Sequence, residues 1–171
     1  MRLSEAIALI DNPSLRAVTT SAEAVRWADL GCGNGLFTEA LAHFLSRGST
    51  IYGIDLRPSL YSDVVNGVVL VPLSGDFVEM PLPAGLDGIL MANSLHYVKD
   101  KTGFLKKIAG RPLVIIEYDT DRPVERWVPY PVSYASLQEL LLKSGWSKVE
   151  RLGETHSVYG HANIYAALAY I

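Results

Sequence analysis

Short hydrophobic runs alternate along the chain with longer stretches in which hydrophobic residues recur at helical spacing. The runs predict seven strands, at Val25–Leu30, Thr50–Ile54, Val68–Val71, Leu86–Met91, Pro112–Glu117, Ser147–Leu152 and Ile164–Ala169. The longer stretches predict helices over Leu36–Leu45, from Pro58 onward, over Asp100–Ala109 and from Ser133 to Ser144. This alternation is typical of a parallel sheet with helices on both faces, so the predicted fold class is α/β.

The end of the chain departs from this alternation. The last two predicted strands are joined by a short stretch, whereas a parallel return needs a dozen or more residues. We therefore expect an antiparallel hairpin at the C-terminal end of the sheet. The length of 171 residues suits one domain and no repeat or linker interrupts it, so residues 1–171 are predicted to form a single domain.

Charge and cysteine content limit the possible binding partners and the cellular compartment. The chain has 15 basic and 18 acidic residues, whereas proteins that bind nucleic acid usually carry a basic excess, so no nucleic acid partner is expected. The single cysteine, Cys32, cannot form an internal disulfide, and no Cys/His cluster has the spacing of a metal site. We therefore expect a reducing, cytoplasmic setting and no metal. The uncharged run Ser157–Ile171 is shorter than the roughly 20 residues of a membrane helix, so no membrane partner is expected.

The strongest signal for function is the segment WADLGCGNGLFTEALA, residues 27–42. A predicted strand ends here, glycines follow at alternate positions, and a helix begins at once. Glycine allows positive φ and a close approach of the backbone to a ligand, and a helix N-terminus offers free amides. Asp55 follows at the end of the second strand, where a carboxylate can accept hydrogen bonds from two ribose hydroxyls. The pattern predicts a site for an adenosine-containing ligand.

The spacing within this loop discriminates between two classes of ligand. A dinucleotide-binding loop has the spacing G-x-G-x-x-G, whereas this loop has G-x-G-x-G with Asp29 two positions before the first glycine. The carboxylate of Asp29 would repel a pyrophosphate and attract an ammonium group. S-adenosylmethionine carries an ammonium group and no phosphate, so it is the predicted cofactor.

Three segments in order, ADLGCGNG, GIDLRP and SGDFVEMPLP, resemble motifs one to three of the class I S-adenosylmethionine-dependent methyltransferases. The resemblance implies a doubly wound, mostly parallel, seven-stranded sheet that ends in an antiparallel hairpin. It also implies that the glycines pack against the methionine part of the cofactor, while aspartates bind its ammonium group, its ribose and its adenine. The cofactor-binding residues implied in this way are Asp29, Gly31, Gly33, Gly35, Asp55, Leu56, Asp76, Phe77 and Asn93.

A fourth segment, LDGILMANSLHYVKD, resembles the part of the family that follows the fourth strand. The resemblance places Asn93, Ser94 and His96 beneath the reactive methyl group. His96 is the candidate catalytic residue, as a general base or as a hydrogen-bonding group for the substrate, because imidazole titrates near neutral pH. Alternatively, His96 only braces the loop.

Residues 118–132, YDTDRPVERWVPYPV, have no periodicity and contain three prolines. They follow the fifth strand, and open α/β sheets hold ligands at the carboxyl ends of their strands, so we expect a structured lid here. Only 26 residues precede Trp27, so this lid is expected to close the acceptor pocket in place of N-terminal helices. Tyr118, Trp127 and Tyr130 are the candidate substrate-binding residues. Trp127 and Tyr130 either stack on a flat acceptor or only anchor the lid on the sheet.

The predicted function is the direct, in-line transfer of a methyl group from S-adenosylmethionine to a small-molecule acceptor. Enzymes that methylate base amines carry an asparagine-proline-proline-aromatic signature, which is absent here because the corresponding stretch is Asn93-Ser94-Leu95-His96. Two alternatives stay open. One is a non-catalytic cofactor-binding module, and the other is a nicotinamide-dependent oxidoreductase, which the spacing of the glycine loop disfavours. The sequence leaves open the acceptor, the need for a general base and the oligomeric state.

Overall fold

A computed structural model describes residues 1–123, 127–157 and 162–171. The helices are α1 (Leu3–Ile10), α2 (Pro13–Thr19), α3 (Leu36–Ala42), α4 (Lys101–Ile108) and α5 (Tyr134–Ser144), with a 3₁₀ turn at Leu95–Tyr97. The strands are β1 (Arg26–Leu30), β2 (Thr50–Asp55), β3 (Asp63–Val65), β4 (Val68–Ser74), β5 (Gly88–Ala92), β6 (Leu113–Tyr118), β7 (Lys148–His156) and β8 (Asn163–Tyr170). All seven predicted strands are present, with ends that differ by a few residues.

The strands form one sheet in the order β3-β4-β2-β1-β5-β6-β8-β7. Neighbouring pairs from β4 to β6 are parallel, and β8 runs antiparallel to both β6 and β7. The predicted α/β class and the C-terminal antiparallel hairpin are therefore confirmed. From β1 the chain first builds the side of the sheet that holds β2 and β4, and it then crosses to the other side of β1 to form β5. This change of direction opens a crevice at the carboxyl ends of the strands.

The described part of the chain adds an eighth strand to the seven that were predicted. β3 pairs antiparallel with β4 at the edge of the sheet, and Asn66 and Gly67 join the two strands. Both residues have positive φ, 54° and 81°, which is the backbone of a tight two-residue hairpin turn. The helix predicted from Pro58 is not formed: residues 56–62 contain no helix, and β3 begins directly after them at Asp63.

The first 25 residues hold two helices that the sequence interpretation did not predict. α1 buries Ala6, Leu9 and Ile10, and the side chain of Asn12 caps α2 by accepting a hydrogen bond from the Ser14 amide at 2.9 Å. Gly153 on β7 allows this packing, since a Cβ there would stand 2.4 Å from the Leu9 carbonyl oxygen. α1 thus lies on α3 and β7, and neither N-terminal helix supplies a residue to the cleft described below.

Hydrophobic side chains fill both faces of the sheet. One core joins α1, α2 and α3 to the sheet around Trp27 and Leu41, and the other joins α4 and α5 around Leu105 and Leu137. Because helices cover both faces, the central strands are buried and their carboxyl ends are held rigidly. This rigidity fixes the positions of the polar residues that follow β1, β2, β4 and β5.

Candidate functional site

A cleft of about 590 Å³ opens at the carboxyl ends of β1, β2, β4 and β5. This volume lies within the range of small-molecule sites. Its described lining consists of Asp29, Gly31, Cys32, Gly33, Asn34, Leu36, Phe37, Asp55, Leu56, Asp76, Phe77, Val78, Ala92, Asn93, Ser94 and Tyr97. Eight of the nine predicted cofactor residues are in this set, and Gly35 stands just outside it at the start of α3.

The glycine loop turns the chain from β1 into α3. Gly31, Gly33 and Gly35 all have positive φ, which side chains rarely adopt. A Cβ on Gly31 would lie 2.4 Å from Cβ of Ser94, and one on Gly35 would lie 2.5 Å from Leu60, whereas one on Gly33 would meet nothing within 4 Å. The first glycine is therefore needed for packing, the third lies against the flexible end of Leu60, and the second faces open space in the cleft.

This difference predicts unequal effects of alanine at two positions of the loop. Gly31→Ala forces a clash with Ser94, whose Cβ is fixed by the backbone, and should lower the free energy of unfolding by about 2–4 kcal/mol. Gly33→Ala, the matched control, adds only the cost of positive φ and should lower it by about 1–2 kcal/mol. Urea unfolding of both variants measures the difference, and equal losses would contradict the packing role of Gly31.

Asp29 lies at the inner end of the cleft and is 1% exposed. Its Oδ2 accepts a hydrogen bond from the Thr38 hydroxyl at 2.6 Å, and its Oδ1 has no partner among the described residues. Burial raises the pKa of Asp29 to about 7, the hydrogen bond from Thr38 lowers it, and the charge of Asp55 raises it. A buried oxygen without a partner costs free energy, so Oδ1 is suited to a ligand that donates a hydrogen bond or carries positive charge.

Asp55 and Leu56 line the cleft where β2 ends. One carboxyl oxygen of Asp55 accepts from the Gly33 amide and the other from the Arg57 amide, both at 3.0 Å. These bonds fix the carboxylate across from the glycine loop. Leu56 is 69% exposed, and its side chain offers an unpaired apolar surface next to Asp55.

Asp76 and Phe77 line the cleft just after β4. Oδ1 of Asp76 accepts from the Val78 amide at 2.9 Å, which orders the turn and leaves the carboxylate exposed. The ring of Phe77 packs edge-on against Phe104 with the ring centroids 5.7 Å apart. Phe77 therefore has a rigid position between the glycine loop and α4.

Asn93 and Ser94 form the opposite wall, after β5. Asn93 has a φ of 52° and a buried Oδ1 without a partner among the described residues. Two of the three such side-chain atoms in the described residues, Oδ1 of Asp29 and Oδ1 of Asn93, belong to residues that line the cleft. Ser94 is buried, and its hydroxyl donates to the Leu30 carbonyl, which ties this wall to β1.

His96, the candidate catalytic residue, does not line the cleft. It is 2% exposed, and both its backbone amide and its Nδ1 contact the carboxyl group of buried Glu117, at 3.1 and 2.7 Å. This burial against Glu117 favours the bracing alternative, and the role of general base stays a prediction. Glu117 at the end of β6 holds the imidazole below the wall of the cleft, where it has no contact with the open space.

The predicted lid is placed beside the cleft, and residues 124–126 of it lie outside the described residues. Trp127 is 77% exposed, and neither Tyr118, Trp127 nor Tyr130 lines the cleft, so the structure does not bring them to it. The Tyr130 amide donates to the His96 carbonyl at 3.0 Å, and Lys101 Nζ lies 5.5 Å from the centroid of the Tyr130 ring. The end of the lid is thus anchored to the 3₁₀ turn.

Tyr97 and Phe37 are aromatic residues of the cleft lining that sequence interpretation missed, and Tyr97 is the exposed one. It ends the 3₁₀ turn, lines the cleft and is 55% exposed, with its ring 4.3 Å from that of His96. No motif marks it, and the only signal available was its place four residues after Asn93 in the segment that follows β5.

A family model described as "Methyltransferase domain" matches residues 28–111. These residues run from β1 to the loop after α4 and hold every described residue of the cleft. In residues 28–111 the chain is similar to the methyltransferase domain family, in agreement with the resemblance to class I methyltransferases seen in its sequence. Its predicted enzyme class and its predicted cofactor, S-adenosylmethionine, are confirmed at the level of this family.

Solved structures with the same fold include methyltransferases of low sequence identity. The N-terminal domain of EvdMO1 with SAH bound (SAH, S-adenosylhomocysteine) is 18% identical with a TM-score of 0.62, covering 98% of this chain and 80% of that one. A SAM-dependent methyltransferase from Aquifex aeolicus is 19% identical with a TM-score of 0.59, covering 99% and 98%. At such identities the likeness concerns the fold. No curated protein sequence matches the chain.

The longer EvdMO1 structure shows that this methyltransferase fold also occurs as part of a larger protein. That structure is 21% identical with a TM-score of 0.56, and the match covers 86% of this chain and 37% of the EvdMO1 chain. The present chain therefore spans well under half of that protein. In the described residues, no helix of this methyltransferase is long and apolar enough to cross a bilayer.

Proposed function

We propose that this chain transfers a methyl group from S-adenosylmethionine directly to a small-molecule acceptor. The observation that carries the proposal is the unpartnered Oδ1 of Asp29, a buried carboxyl oxygen in a cleft formed by a glycine loop. An ammonium group can supply both the missing hydrogen bond and the compensating charge. The methionine end of the cofactor carries such a group.

The residues present fit the remaining parts of the cofactor. Gly33 leaves room for the methionine chain, since a Cβ there would project into open space. Asp55 is proposed to accept from ribose hydroxyls, and the exposed side chain of Leu56 is proposed to cover adenine. Asp76 and the Phe77 amide are proposed to contact the adenine edge, and Gly31, Gly35 and Asn93 complete the set proposed for the cofactor.

When bound, the cofactor supplies a methyl group on a positively charged sulfur, which is already a good leaving group. The protein then has to align the acceptor and exclude water. Because His96 is held by Glu117, no imidazole of the described residues faces the cleft. We therefore propose an acceptor with a lone pair that is free at neutral pH, such as a carboxylate or a neutral amine.

Several further predictions belong to this proposal. Residues 1–171 act as one domain, and the acceptor enters between Asn93 and Tyr97, with the lid residues Tyr118, Trp127 and Tyr130 available for a larger acceptor. The net charge of −3 favours a small molecule over nucleic acid as the acceptor. A reducing, cytoplasmic setting is part of the proposal because Cys32 is a buried free thiol.

Asp55→Ala tests the cofactor assignment. The change removes the acceptor for the ribose hydroxyls and also frees the Gly33 amide, so SAH should bind roughly 10- to 100-fold more weakly, about 1.5–3 kcal/mol. Calorimetric titration of SAH measures this loss. Asp63→Asn, an exposed carboxylate on β3, is the matched control and should bind like the wild type. Unchanged affinity in Asp55→Ala would remove Asp55 from the site.

The proposed function is tested by binding and by transfer. The wild type should bind SAH and show no saturable binding of NAD, because the loop lacks the dinucleotide spacing. Isotope-labelled S-adenosylmethionine, offered with panels of carboxylates, amines and phenols, should give labelled product with at least one acceptor class. Tight SAH binding with no transfer to any panel would favour the non-catalytic cofactor-binding module. The position of His96 outside the cleft lining also supports that alternative. Saturable binding of NAD in place of SAH would overturn the proposal.

A further inference from the structure

Asp29 and Thr38 form a buried pair behind the glycine loop. Thr38 lies near the start of α3 and is completely buried, and its hydroxyl donates to Oδ2 of Asp29 at 2.6 Å. The other buried residues on α3 are apolar, namely Phe37, Ala40, Leu41 and Ala42. A hydroxyl buried among apolar side chains costs free energy unless it is hydrogen-bonded, and the Thr38 hydroxyl is hydrogen-bonded to Asp29.

We infer that Thr38 is a positioning residue for the cofactor and that cofactor binding drives a proton off Asp29. The inference rests on the proposed function and concerns how the same site is controlled. Thr38 occupies one carboxyl oxygen of Asp29 and leaves the other, Oδ1, without a partner, so that Oδ1 would be the one to bind the ammonium group. Because the hydroxyl donates its hydrogen to the carboxyl group, it favours the ionised form that an ammonium group requires.

The surroundings of Asp29 oppose its ionisation. Burial is the largest cause and raises the pKa of Asp29 to about 7, and the Asp55 carboxylate at the end of β2 adds to this rise. In the loop, the pKa of Cys32 is raised to about 12 by burial and by these two aspartates, so the thiol is neutral at physiological pH. Across the cleft, Asp76 and Tyr97 are the other titratable side chains of the described lining, and neither is cationic. The free protein therefore contains a mixture of protonated and ionised Asp29 near neutral pH.

Binding of an ammonium group shifts this mixture toward the ionised form. The affinity of the wild type for SAH should rise about tenfold per pH unit well below pH 7 and level off above about pH 8. Calorimetry at about pH 6.5, in two buffers with different heats of ionisation, should show that a proton is released on binding.

Two substitutions of Thr38 separate its hydroxyl from its volume. Thr38→Val keeps the shape and removes the donor, so the pKa of Asp29 rises further. If the pKa of Asp29 rises by about 1, SAH affinity at pH 7 should fall about fivefold. At pH 8.5 it should recover to within about twofold of the wild type. Thr38→Ser keeps the donor and should follow the wild-type curve.

A second ligand controls for damage to the cleft. Methylthioadenosine shares the adenosine part of the cofactor and lacks the ammonium group, so its affinity should depend on neither pH nor residue 38. A loss of SAH affinity in Thr38→Val that is equal at every pH would show a structural role for Thr38 and would overturn the inference. Wild-type binding of SAH without proton release would also overturn it, and this measurement decides the matter if Thr38→Val does not fold. Binding of neither ligand by the wild type would instead refute the proposed function.

Discussion

Asp29→Asn should make the free protein more stable at pH 8 while it weakens SAH binding. The buried carboxylate has a pKa of about 7 in the folded protein, against 3.8 for the ordinary group. Between these two pH values the folded state holds the proton more tightly than the unfolded state, so stability falls as the pH rises through this window. Above about pH 7.5 the folded protein carries the whole cost of the buried charge, on the order of 2–4 kcal/mol.

Asparagine is neutral at every pH, so the variant avoids this cost. The free energy of unfolding of Asp29→Asn should exceed that of the wild type by about 1–3 kcal/mol at pH 8, and the difference should vanish near pH 4. SAH affinity at pH 8 should fall roughly 30- to 150-fold, about 2–3 kcal/mol, because the ammonium group loses its counter-charge.

Urea unfolding at several pH values and calorimetric titration of SAH measure the two effects. Asp76→Asn is the matched control: its carboxylate lines the same cleft but is exposed, so its stability should stay within about 0.5 kcal/mol of the wild type. If Asp29→Asn is less stable than the wild type at pH 8, the carboxylate stabilises the fold. The hypothesis that Asp29 lowers stability while it strengthens SAH binding would then be wrong.

The sequence predicted most residues that line the cleft after β1, β2 and β4, because their signals are local. Glycines alternate after β1, and single aspartates stand at or just after the ends of β1, β2 and β4. Such a pattern has few structural explanations other than a site. The added β3 strand was predictable in principle, since Asn66-Gly67 is a strong hairpin signal. It was missed because Pro58 was interpreted as the start of a helix.

Which side chains after β5 and β6 line the cleft could not be predicted, because residue type does not determine where a side chain points. His96 and Tyr97 are neighbours in one turn, yet the imidazole is buried against Glu117 and the tyrosine faces the cleft. Glu117 is distant in sequence and lies on the next strand, so no motif links it to His96. Trp127 has the size of a binding residue, but only the structure shows that it stands outside the cleft.

Glu117 and His96 together determine where Tyr97 stands. The carboxyl group of Glu117 is 1% exposed and contacts both the amide and Nδ1 of His96. The His96 carbonyl in turn accepts from the Tyr130 amide, so one turn of chain connects β6, the wall of the cleft and the end of the lid. Lys101 lies close enough that Glu117 opposes the lowering of its pKa by burial.

Glu117→Ala should therefore strongly destabilise the folded protein. It leaves two buried polar groups of His96 without a partner and creates a cavity, so the free energy of unfolding should fall by about 2–4 kcal/mol. For a chain of this size, Tm should fall by roughly 5–15 °C. Glu117→Gln keeps the volume and can hydrogen-bond both groups of His96, and it should lose less than half as much.

Loss of the Glu117 carboxylate should affect SAH binding and methyl transfer differently. The side chain of Glu117 hydrogen-bonds His96, which is not proposed to hold the cofactor, so Glu117→Gln should bind SAH within about twofold of the wild type. Methyl transfer should fall more than SAH affinity, because small shifts of the turn displace Tyr97 at the acceptor end. A double-mutant cycle with His96→Ala measures the coupling of the pair, expected at about 1–3 kcal/mol. A coupling near zero, with wild-type stability in Glu117→Ala, would show that other contacts position the turn.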